Sequence, residues 1–297
     1  MRTKSIRANL PKGRTSPRKR IKASKIVIDI ILVLSTCLIL LPIVTMLMTS
    51  LKTFEDVQQN PAGLIPTQWT LQNYVTVFVE FPFLQYLLNT LILTISSTIG
   101  TTLTSAMVAY AFSRFNVKFK GALFTIMLGT IMIPGQILQI PLYELYRALH
   151  WINTYAPFIV PAFLGGGITN VFLIRQFFNS LPKSLFESAQ IDGASEFRIF
   201  IQIAIPLSRA IIITVAIFAF TSAWNDFYSP LLYLNEESKY NLAYGLYIFF
   251  DKFKVGSYKA WNIICAANLV VILPIIVLYF FAQKFFVEGI TLGGVKG

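Results

Sequence analysis

Long apolar runs alternate with short charged segments along almost the whole chain. A helix that spans the roughly 30 Å hydrocarbon core of a bilayer needs about 20 mainly apolar residues, because each residue rises about 1.5 Å. Strand-like alternation is absent, and lipid offers no partner to an unpaired backbone group, so each long run is predicted to be helical. The pattern predicts an all-α polytopic membrane protein with about six transmembrane helices. The six predicted spans are approximately 26–49, 87–112, 121–142, 155–178, 204–224 and 263–285.

The overall composition supports this class. Of the 297 residues, 55% are hydrophobic and 13% are charged, whereas soluble domains have about one charged residue in four. The first apolar run is longer than the roughly 7 to 15 residues of a secretory signal peptide, and no small-x-small cleavage site follows it, so we expect an uncleaved anchor helix. The net charge of +12 gives little case for nucleic acid, because the Lys and Arg residues lie in short segments between apolar runs.

The distribution of Lys and Arg predicts the orientation, because loops rich in these residues stay on the cytoplasmic side. If the chain crosses six times, nineteen of the 25 Lys and Arg residues fall on one side, ten of them before the first span. Both termini are therefore predicted to be cytoplasmic. We divide the chain into a basic cytoplasmic N-terminal segment (1–25), a transmembrane domain (26–286) and a cytoplasmic C-terminal tail (287–297).

Three of the predicted spans carry residues that are unusual in a plain anchor. The third and fourth contain prolines and a triple glycine, which remove or loosen backbone hydrogen bonds, so we expect kinked or interrupted helices, typical of a transporter or channel. The second is rich in small and hydroxyl residues, which either pack helices together or line a polar cavity. The residues are Pro134, Pro141, Pro157, Pro161 and Gly165 to Gly167, and then Thr90, Thr94, Ser96, Ser97, Thr98, Gly100, Thr101, Thr102, Thr104 and Ser105.

The loop 179–206, between the fourth and fifth spans, is predicted to contain two short helices joined by a turn. Ser184 and Glu187 have the spacing of a capping box, which predicts a helix from about Leu185. Asp192-Gly193 supplies the turn, because Gly adopts a positive φ without steric cost. An amphipathic segment follows, with three apolar residues expected on one side: Phe197, Phe200 and Ile201.

This loop resembles the signature of one family: the permease subunits of sugar-importing ABC transporters, typified by the maltose permease. Their signature is Glu-Ala-Ala, three residues, Gly, nine residues, then Ile-x-Leu-Pro. Here Glu187-Ser188-Ala189, Gly193 and Ile203-Ala204-Ile205-Pro206 keep every spacing, with Ser188 and Ile205 as the departures. Further segments look like the same group: 175–178, 181–183, 191–195, 223–227 and 289–297.

The resemblance implies a non-catalytic subunit of the bacterial cytoplasmic membrane, whose loop docks in a cleft of a cytoplasmic ATPase dimer. The other implied partners are a second homologous permease, an extracytoplasmic solute-binding protein and a sugar substrate. The binding protein would meet the external loops 53–86 and 240–261. A small-residue face at Ser188 and Ala189 and the Glu187 carboxylate would suit close docking. The expected coupling-loop residues are Glu187, Ser188, Ala189, Asp192, Gly193, Ala194 and Pro206.

The chain has no G-x-x-x-x-G-K-[ST] loop, so we expect ATP and Mg²⁺ to bind to the partner ATPase, and no cofactor, metal or catalytic residue in this chain. His150, Cys37 and Cys265 have no metal-site companions. Trp224, Asn225 and Asp226 either line an external mouth or anchor the interface. A sugar path needs polar groups, and the candidates are Gln136, Gln139, Asn170 and Asn225.

Two other classes of protein remain as alternatives. An ion-driven secondary transporter of a small polar solute predicts membrane carboxylates, and the apolar runs carry few. Asp29, near the start of the first run, pairs plausibly with Lys25 at i, i+4. A membrane-embedded enzyme predicts clustered His, Asp or Cys residues, and the sequence offers no such cluster.

Overall fold

The computed structural model describes residues 23–255 and 258–294, so most of the predicted N-terminal segment and the last three residues of the predicted tail lie outside it. The described residues fall into two units, 23–46 and 47–294. The helices are α1 (Ala23–Ser50), α2 (Phe54–Gln59), α3 (Gln72–Glu80), α4 (Phe83–Arg114), α5 (Lys120–Gly129), α6 (Gly135–Ala148), α7 (Ala156–Ile159), α8 (Ile168–Ser180), α9 (Lys183–Ile191), α10 (Glu196–Ile199), α11 (Ile205–Leu207), α12 (Arg209–Trp224), α13 (Tyr228–Tyr233), α14 (Leu242–Lys252) and α15 (Trp261–Gly294).

The described part of the chain is helical apart from its loops and one small hairpin. The strands β1 (Lys254–Val255) and β2 (Tyr258–Lys259) pair antiparallel. Turns of 3₁₀-helix lie at Thr130–Met132, Pro161–Phe163 and Glu237–Lys239, and a π-helical segment lies at Phe200–Ala204. Helix α15 runs through the positions 287–294, which the sequence assigned to the tail. The all-α class is therefore confirmed.

Within the described residues, three helical stretches are long and apolar enough to cross a bilayer: Val27–Ser50, Phe83–Arg114 and Ala156–Ser180. Two bent helix pairs raise the number to as many as five, Lys120–Met132 with Gly135–Ala148 and Glu196–Leu207 with Arg209–Trp224. Helix α15 contains a shorter apolar stretch, Trp261–Val277. These lengths and compositions fit a protein that crosses the membrane several times.

The third predicted span bends sharply at Pro134. Helix α5 ends in a 3₁₀ turn, and α6 begins after Pro134 at an angle of 98° to the preceding segment. Proline lacks the backbone N–H that would continue the ladder, and its ring disfavours a helical conformation at the residue before it. Pro141 lies inside α6. The prediction of an interrupted helix is confirmed.

The fourth predicted span is also broken, and it packs closely against α4. Between α7 and α8, the backbone of Gly166 has a φ of +65°. A Cβ on Gly100 of α4 would lie 2.6 Å from Phe163 of the 3₁₀ turn. The Thr104 hydroxyl of α4 donates a hydrogen bond to the carbonyl of Ala162 (3.0 Å). Small residues on α4 therefore allow the broken helix to approach closely, and the Thr104 hydroxyl satisfies one of its carbonyl groups.

Helix α4 contributes to both hydrophobic cores of the unit 47–294. One core contains its last turns, Ala106 to Tyr110, together with side chains of α8 to α12. The other contains its first turns, with Tyr86, packed against α3, α12, α14 and α15. Exposed apolar side chains recur every three or four residues on its opposite face, as expected of a surface in lipid or against another membrane chain. They are Leu84, Leu88, Ile92, Ile95, Ile99, Leu103 and Met107.

The segment that follows α1 is built around a buried lysine. The Lys52 side chain is 1% exposed, and its Nζ donates to the carbonyls of Asn60 (2.8 Å) and Gly63 (2.6 Å). The Asn73 amide donates to the carbonyls of Ser50 and Lys52, each at 2.8 Å, and accepts from Asn262 of α15 (2.8 Å). This network fixes the loop against α3 and α15. The burial of Lys52 was not predicted from the sequence.

Candidate functional site: an amphipathic hairpin and a polar cavity

Residues 183–207 form an amphipathic hairpin, in which α9 is followed by a turn, α10, the π-helical segment and α11. Gly193 has a φ of +75°. Its N–H donates to the carbonyl of Gln190 and the N–H of Ala194 to the carbonyl of Ala189, both at 3.0 Å. These two bonds form a Schellman motif, which caps the end of α9. The predicted turn at Asp192-Gly193 is confirmed.

The predicted capping box is wrong. Helix α9 begins at Lys183, two residues before the expected start, and its N-cap residue Pro182 makes no side-chain capping bond. Ser184 is therefore already inside the helix. The extended backbone of Pro182 (φ −57°, ψ 126°) sets the start of the helix instead. A serine does cap the second helix, where the Ser195 hydroxyl accepts a hydrogen bond from the N–H of Arg198 (3.4 Å).

The hairpin has a buried face and an exposed face, and these divide the predicted coupling residues. Glu187, Ser188, Asp192, Gly193 and Pro206 are exposed. Ala194 is half-buried, and Ala189 is buried in the core with Phe186. Ala189 therefore does not share an accessible small-residue face with Ser188, which corrects the expectation from the sequence.

The apolar side chains of the second helix also divide differently from the prediction. Phe200 is buried, whereas Phe197 is 66% exposed and Ile201 is 47% exposed. Two exposed apolar side chains of α9 were missed: Leu185 and Ile191, the latter 87% exposed. Exposed apolar side chains on the same helix as Glu187 and Ser188 are typical of a surface that meets another protein.

The buried face of the hairpin contacts the last turns of α4. The Tyr110 hydroxyl donates a hydrogen bond of 2.7 Å to the Glu196 carboxylate, which also accepts one of 2.6 Å from Gln190. The guanidinium of Arg114 lies 4.0 Å above the ring of Phe186. Both helices of the hairpin are therefore connected to α4, one by a hydrogen bond and the other by a cation–π contact.

The second feature is a cavity of about 790 Å³ between α4, the broken fourth span, α12 and α13. Its lining combines hydroxyls, amides and one carboxylate with two phenylalanine rings, a mixture that suits a polar solute with apolar faces. The residues that contribute most to this character are Ser97, Thr101, Phe158, Thr169, Asn170, Phe218, Ser222, Asp226, Ser229 and Asn241.

Of the four predicted sugar-path residues, one lines this cavity. Asn170 does so at the start of α8. Asn225 lies outside the lining, with its amide bonded to the carbonyl of Thr221 (2.8 Å) on its own helix. Gln136 is exposed and Gln139 half-buried on α6, and neither lines the cavity, because the bend at Pro134 directs α6 away from the direction of α5.

Asp226 is the carboxylate in the cavity lining. Its Oδ1 accepts a hydrogen bond from the N–H of Ser229 (3.0 Å) at the start of α13, and its carbonyl accepts one from Asn241 (2.7 Å). Trp224 is buried and stacks on Phe220. The Trp224–Asp226 segment, for which the sequence left open an external mouth or an interface anchor, therefore supplies one packing residue and one cavity residue.

Some hydroxyl groups of α4 line the cavity and others pack helices together, which are the two roles that the sequence left open. Ser97 and Thr101 line the cavity. Thr90, Thr94 and Ser105 are buried between helices, and the Thr90 hydroxyl accepts a hydrogen bond from the N–H of Leu242 (2.8 Å). Within the part of the chain that the structure describes, no three His, Cys, Asp or Glu side chains come together as metal ligands would.

Comparison with known proteins identifies the family. A family profile described as "Binding-protein-dependent transport system inner membrane component" matches residues 102–292. The inner membrane ABC transporter permease protein YcjP of Escherichia coli is 32% identical over 260 residues, 87% of this chain and 91% of the relative. The arabinooligosaccharides transport system permease protein AraQ of Halalkalibacterium halodurans is 32% identical, covering 86% of this chain and 91% of the relative.

The solved structures agree in fold. A bacterial ABC transporter involved in the import of the acidic polysaccharide alginate contains a chain that superposes with a TM-score of 0.77 at 23% identity, covering 93% of this chain and all of that one. The relatives of this chain are ABC transporter permeases, which are transport components, so this chain is not an enzyme. It is a multi-pass membrane protein and belongs to the family of binding-protein-dependent transport system inner membrane components, the permease subunits of ABC transporters.

Proposed function

We propose that this chain is the membrane-spanning permease subunit of an ABC importer for a sugar or oligosaccharide. An external binding protein delivers the solute, and ATP hydrolysis on a separate subunit drives its passage across the bacterial cytoplasmic membrane. The observation that carries the proposal is the amphipathic hairpin, which presents the family signature at Glu187, Ser188 and Gly193 on its exposed face.

In this proposal the chain crosses the bilayer six times with both termini in the cytoplasm. The third crossing is made by α5 and α6, the fourth by Ala156–Ser180, and the fifth by α12, which follows the 84° bend. The amphipathic hairpin then lies on the cytoplasmic side, where nineteen of the 25 Lys and Arg residues also fall. The external loops 53–86 and 240–261 face the binding protein.

The exposed face of the hairpin docks into a cytoplasmic ATPase dimer that binds ATP and Mg²⁺. Glu187, Ser188, Asp192 and Gly193 supply polar groups and a close backbone approach, and Ile191 and its apolar neighbours supply area to desolvate. Ala189 and Ala194 support this surface from within. Pro206 lies at the junction with α12.

The sugar path includes the polar cavity and Asn170. Hydroxyls and amides match the donors and acceptors of a carbohydrate, and the rings of Phe158 and Phe218 can contact its apolar faces. The printed functions of relatives support a saccharide class: they include the AraQ arabinooligosaccharide permeases and SmoH, a sulfoquinovosyl glycerol permease of Agrobacterium fabrum at 30% identity. A second permease would complete the path.

The test is uptake by the complete complex, reconstituted in vesicles with its binding protein and a panel of labelled neutral oligosaccharides. Uptake should require ATP and should stop with Glu187→Lys, while the protein still assembles. The matched control is Glu144→Lys on α6, where an exposed pair with Arg147 is expected to contribute little. Uptake that persists without ATP and stops when proton and sodium gradients are dissipated would establish the alternative, an ion-driven secondary transporter.

A further inference from the structure

The cytoplasmic hairpin of the proposed importer is covalently continuous with α8 and α12, but both connections interrupt regular helix. Between α8 and α9 the chain is extended at Leu181 and Pro182. Between α10 and α12 lie the π-helical segment Phe200–Ala204 and an 84° bend at Ser208. Interrupted hydrogen-bond ladders transmit a displacement less directly than a continuous helix does.

Helix α4 makes the alternative connection, and it is continuous. It runs without proline for 32 residues, from Phe83 to Arg114. Its last turns touch the hairpin through Tyr110 and Arg114, and its middle turns line the cavity at Ser97 and Thr101. At about 1.5 Å per residue, Tyr110 lies roughly 14 Å along the axis from Thr101 and roughly 20 Å from Ser97.

Tyr110 is buried, packed against aromatic rings and hydrogen-bonded to the hairpin. The side chain is 5% exposed, and its ring packs against Phe178 and Phe200 at centroid distances of 6.0 and 5.2 Å. Its hydroxyl donates to one oxygen of Glu196, while Gln190 donates to the other. Glu196 thus connects α9, α10 and α4 through one carboxylate.

We propose that Tyr110 is a positioning residue for transport: its hydrogen bond to Glu196 makes α4 move with the hairpin, and so couples the ATPase to the cavity wall. The Arg114–Phe186 contact is the second point of attachment. The inference rests on the proposed function, since it assumes that an ATPase displaces the hairpin. It adds which membrane helix receives the displacement and through which atoms.

The experiment measures sugar transported per ATP hydrolysed in the complete reconstituted complex. Tyr110→Phe removes only the hydroxyl and keeps the packed ring. We expect this ratio to fall about tenfold, because a hydrogen bond to a charged acceptor is worth that factor or more, while binding-protein-stimulated ATP hydrolysis continues. Ser113→Ala is the matched control: its hydroxyl bonds to the carbonyl of Tyr110 within α4 and not to the hairpin, so the ratio should stay at the wild-type value.

A double-mutant cycle separates this role from general stability. If the bond is the coupling element, adding Tyr110→Phe to Glu196→Ala lowers the ratio no further than Glu196→Ala alone, because the partner of the hydroxyl is already gone. A merely structural role would reduce the amount of assembled complex and both rates together, with an unchanged ratio, and that result would overturn the inference. An unchanged ratio in well-assembled Tyr110→Phe would do the same. A wild-type complex without ATP-dependent uptake would instead refute the proposed function, and the inference with it.

Discussion

Gly166, between the two halves of the broken fourth span, is the position where one added methyl group should have the largest effect. Its φ of +65° lies in the left-handed region, which costs a residue with a Cβ about 1 to 2 kcal/mol. A Cβ there would overlap the Ser105 hydroxyl and would lie 2.8 Å from both the Thr101 carbonyl oxygen and the Ser105 nitrogen. Two of these three atoms belong to the backbone of α4 and cannot rotate away.

Gly166→Ala must therefore separate the broken span from α4, and overpacking of this kind costs about 1 to 3 kcal/mol. This cost adds to that of the left-handed φ, so we expect a loss of about 2 to 5 kcal/mol in the free energy of unfolding. Because Gly166 and Thr101 both line the cavity, the separation should also reshape the wall of the proposed sugar path.

The assay is thermal unfolding of the purified protein in detergent, followed by uptake in vesicles. Gly121→Ala on α5 is the matched control, because a Cβ there meets nothing within 4 Å and alanine favours helix, so stability should be unchanged or slightly higher. If Gly166→Ala melts with the control at the wild-type temperature, then the close contact between α4 and the broken span does not exist in the protein.

Three further predictions follow from single contacts. Lys52→Met leaves the Asn60 and Gly63 carbonyls without their donor, so the free energy of unfolding should fall by about 2 to 4 kcal/mol and limited proteolysis should cleave the 60–63 loop faster. Unchanged cleavage would contradict the hydrogen bonds of the buried Lys52. Ile191→Glu changes an exposed side chain, so the melting temperature should stay constant. Stimulation of the partner ATPase should fall about tenfold, because a charge replaces an apolar docking contact. Normal stimulation would show that the ATPase docks on another surface. The pKa of Glu236 is lowered to about 2 by its hydrogen bonds to the Lys239 ammonium, Ser238 and Asn153, so the contacts of its carboxylate in the loop between α13 and α14 are complete above about pH 4.5 and disappear as the pH falls towards 2. Proteolysis of that loop should follow this profile in wild type, and Glu236→Gln should remove the profile.

The apolar helices and the breaks within them could be predicted because each depends on local chemistry. Apolar runs of spanning length identify the membrane helices, and Pro134 and the glycines at 165–167 remove the backbone features that a continuous helix needs. The sequence could not give the 98° angle at Pro134, since proline interrupts the ladder without dictating where the chain goes next. That angle is what excludes Gln136 and Gln139 from the cavity lining.

In the hairpin too, features set by local sequence were predictable and features set by distant residues were not. Its turn was predictable because Gly193 tolerates a positive φ, and the Schellman bonds follow from that conformation. The start of α9 was not, because a capping box at Ser184 and a break at Pro182 compete over the same few residues and the proline prevails. Which side of α9 faces inwards depends on Arg114 and Tyr110, which lie about 70 residues earlier in the chain. The position of Ala189 could therefore not be deduced from the signature.

The hydroxyls of α4 explain why the sequence could not decide between helix packing and a cavity. Thr94 and Thr101 are seven residues apart, so at 100° per residue their side chains point within about 20° of each other around the helix. Yet Thr94 is fully buried, and Thr101 lines the cavity. The difference arises from the neighbours, because Thr101 borders the cavity beside the break of the fourth span, where Gly166 and Gly167 also line it. One polar stripe therefore packs the bundle at one depth and lines the cavity at another, and a helix that does both can transmit movement of the hairpin to the proposed sugar path.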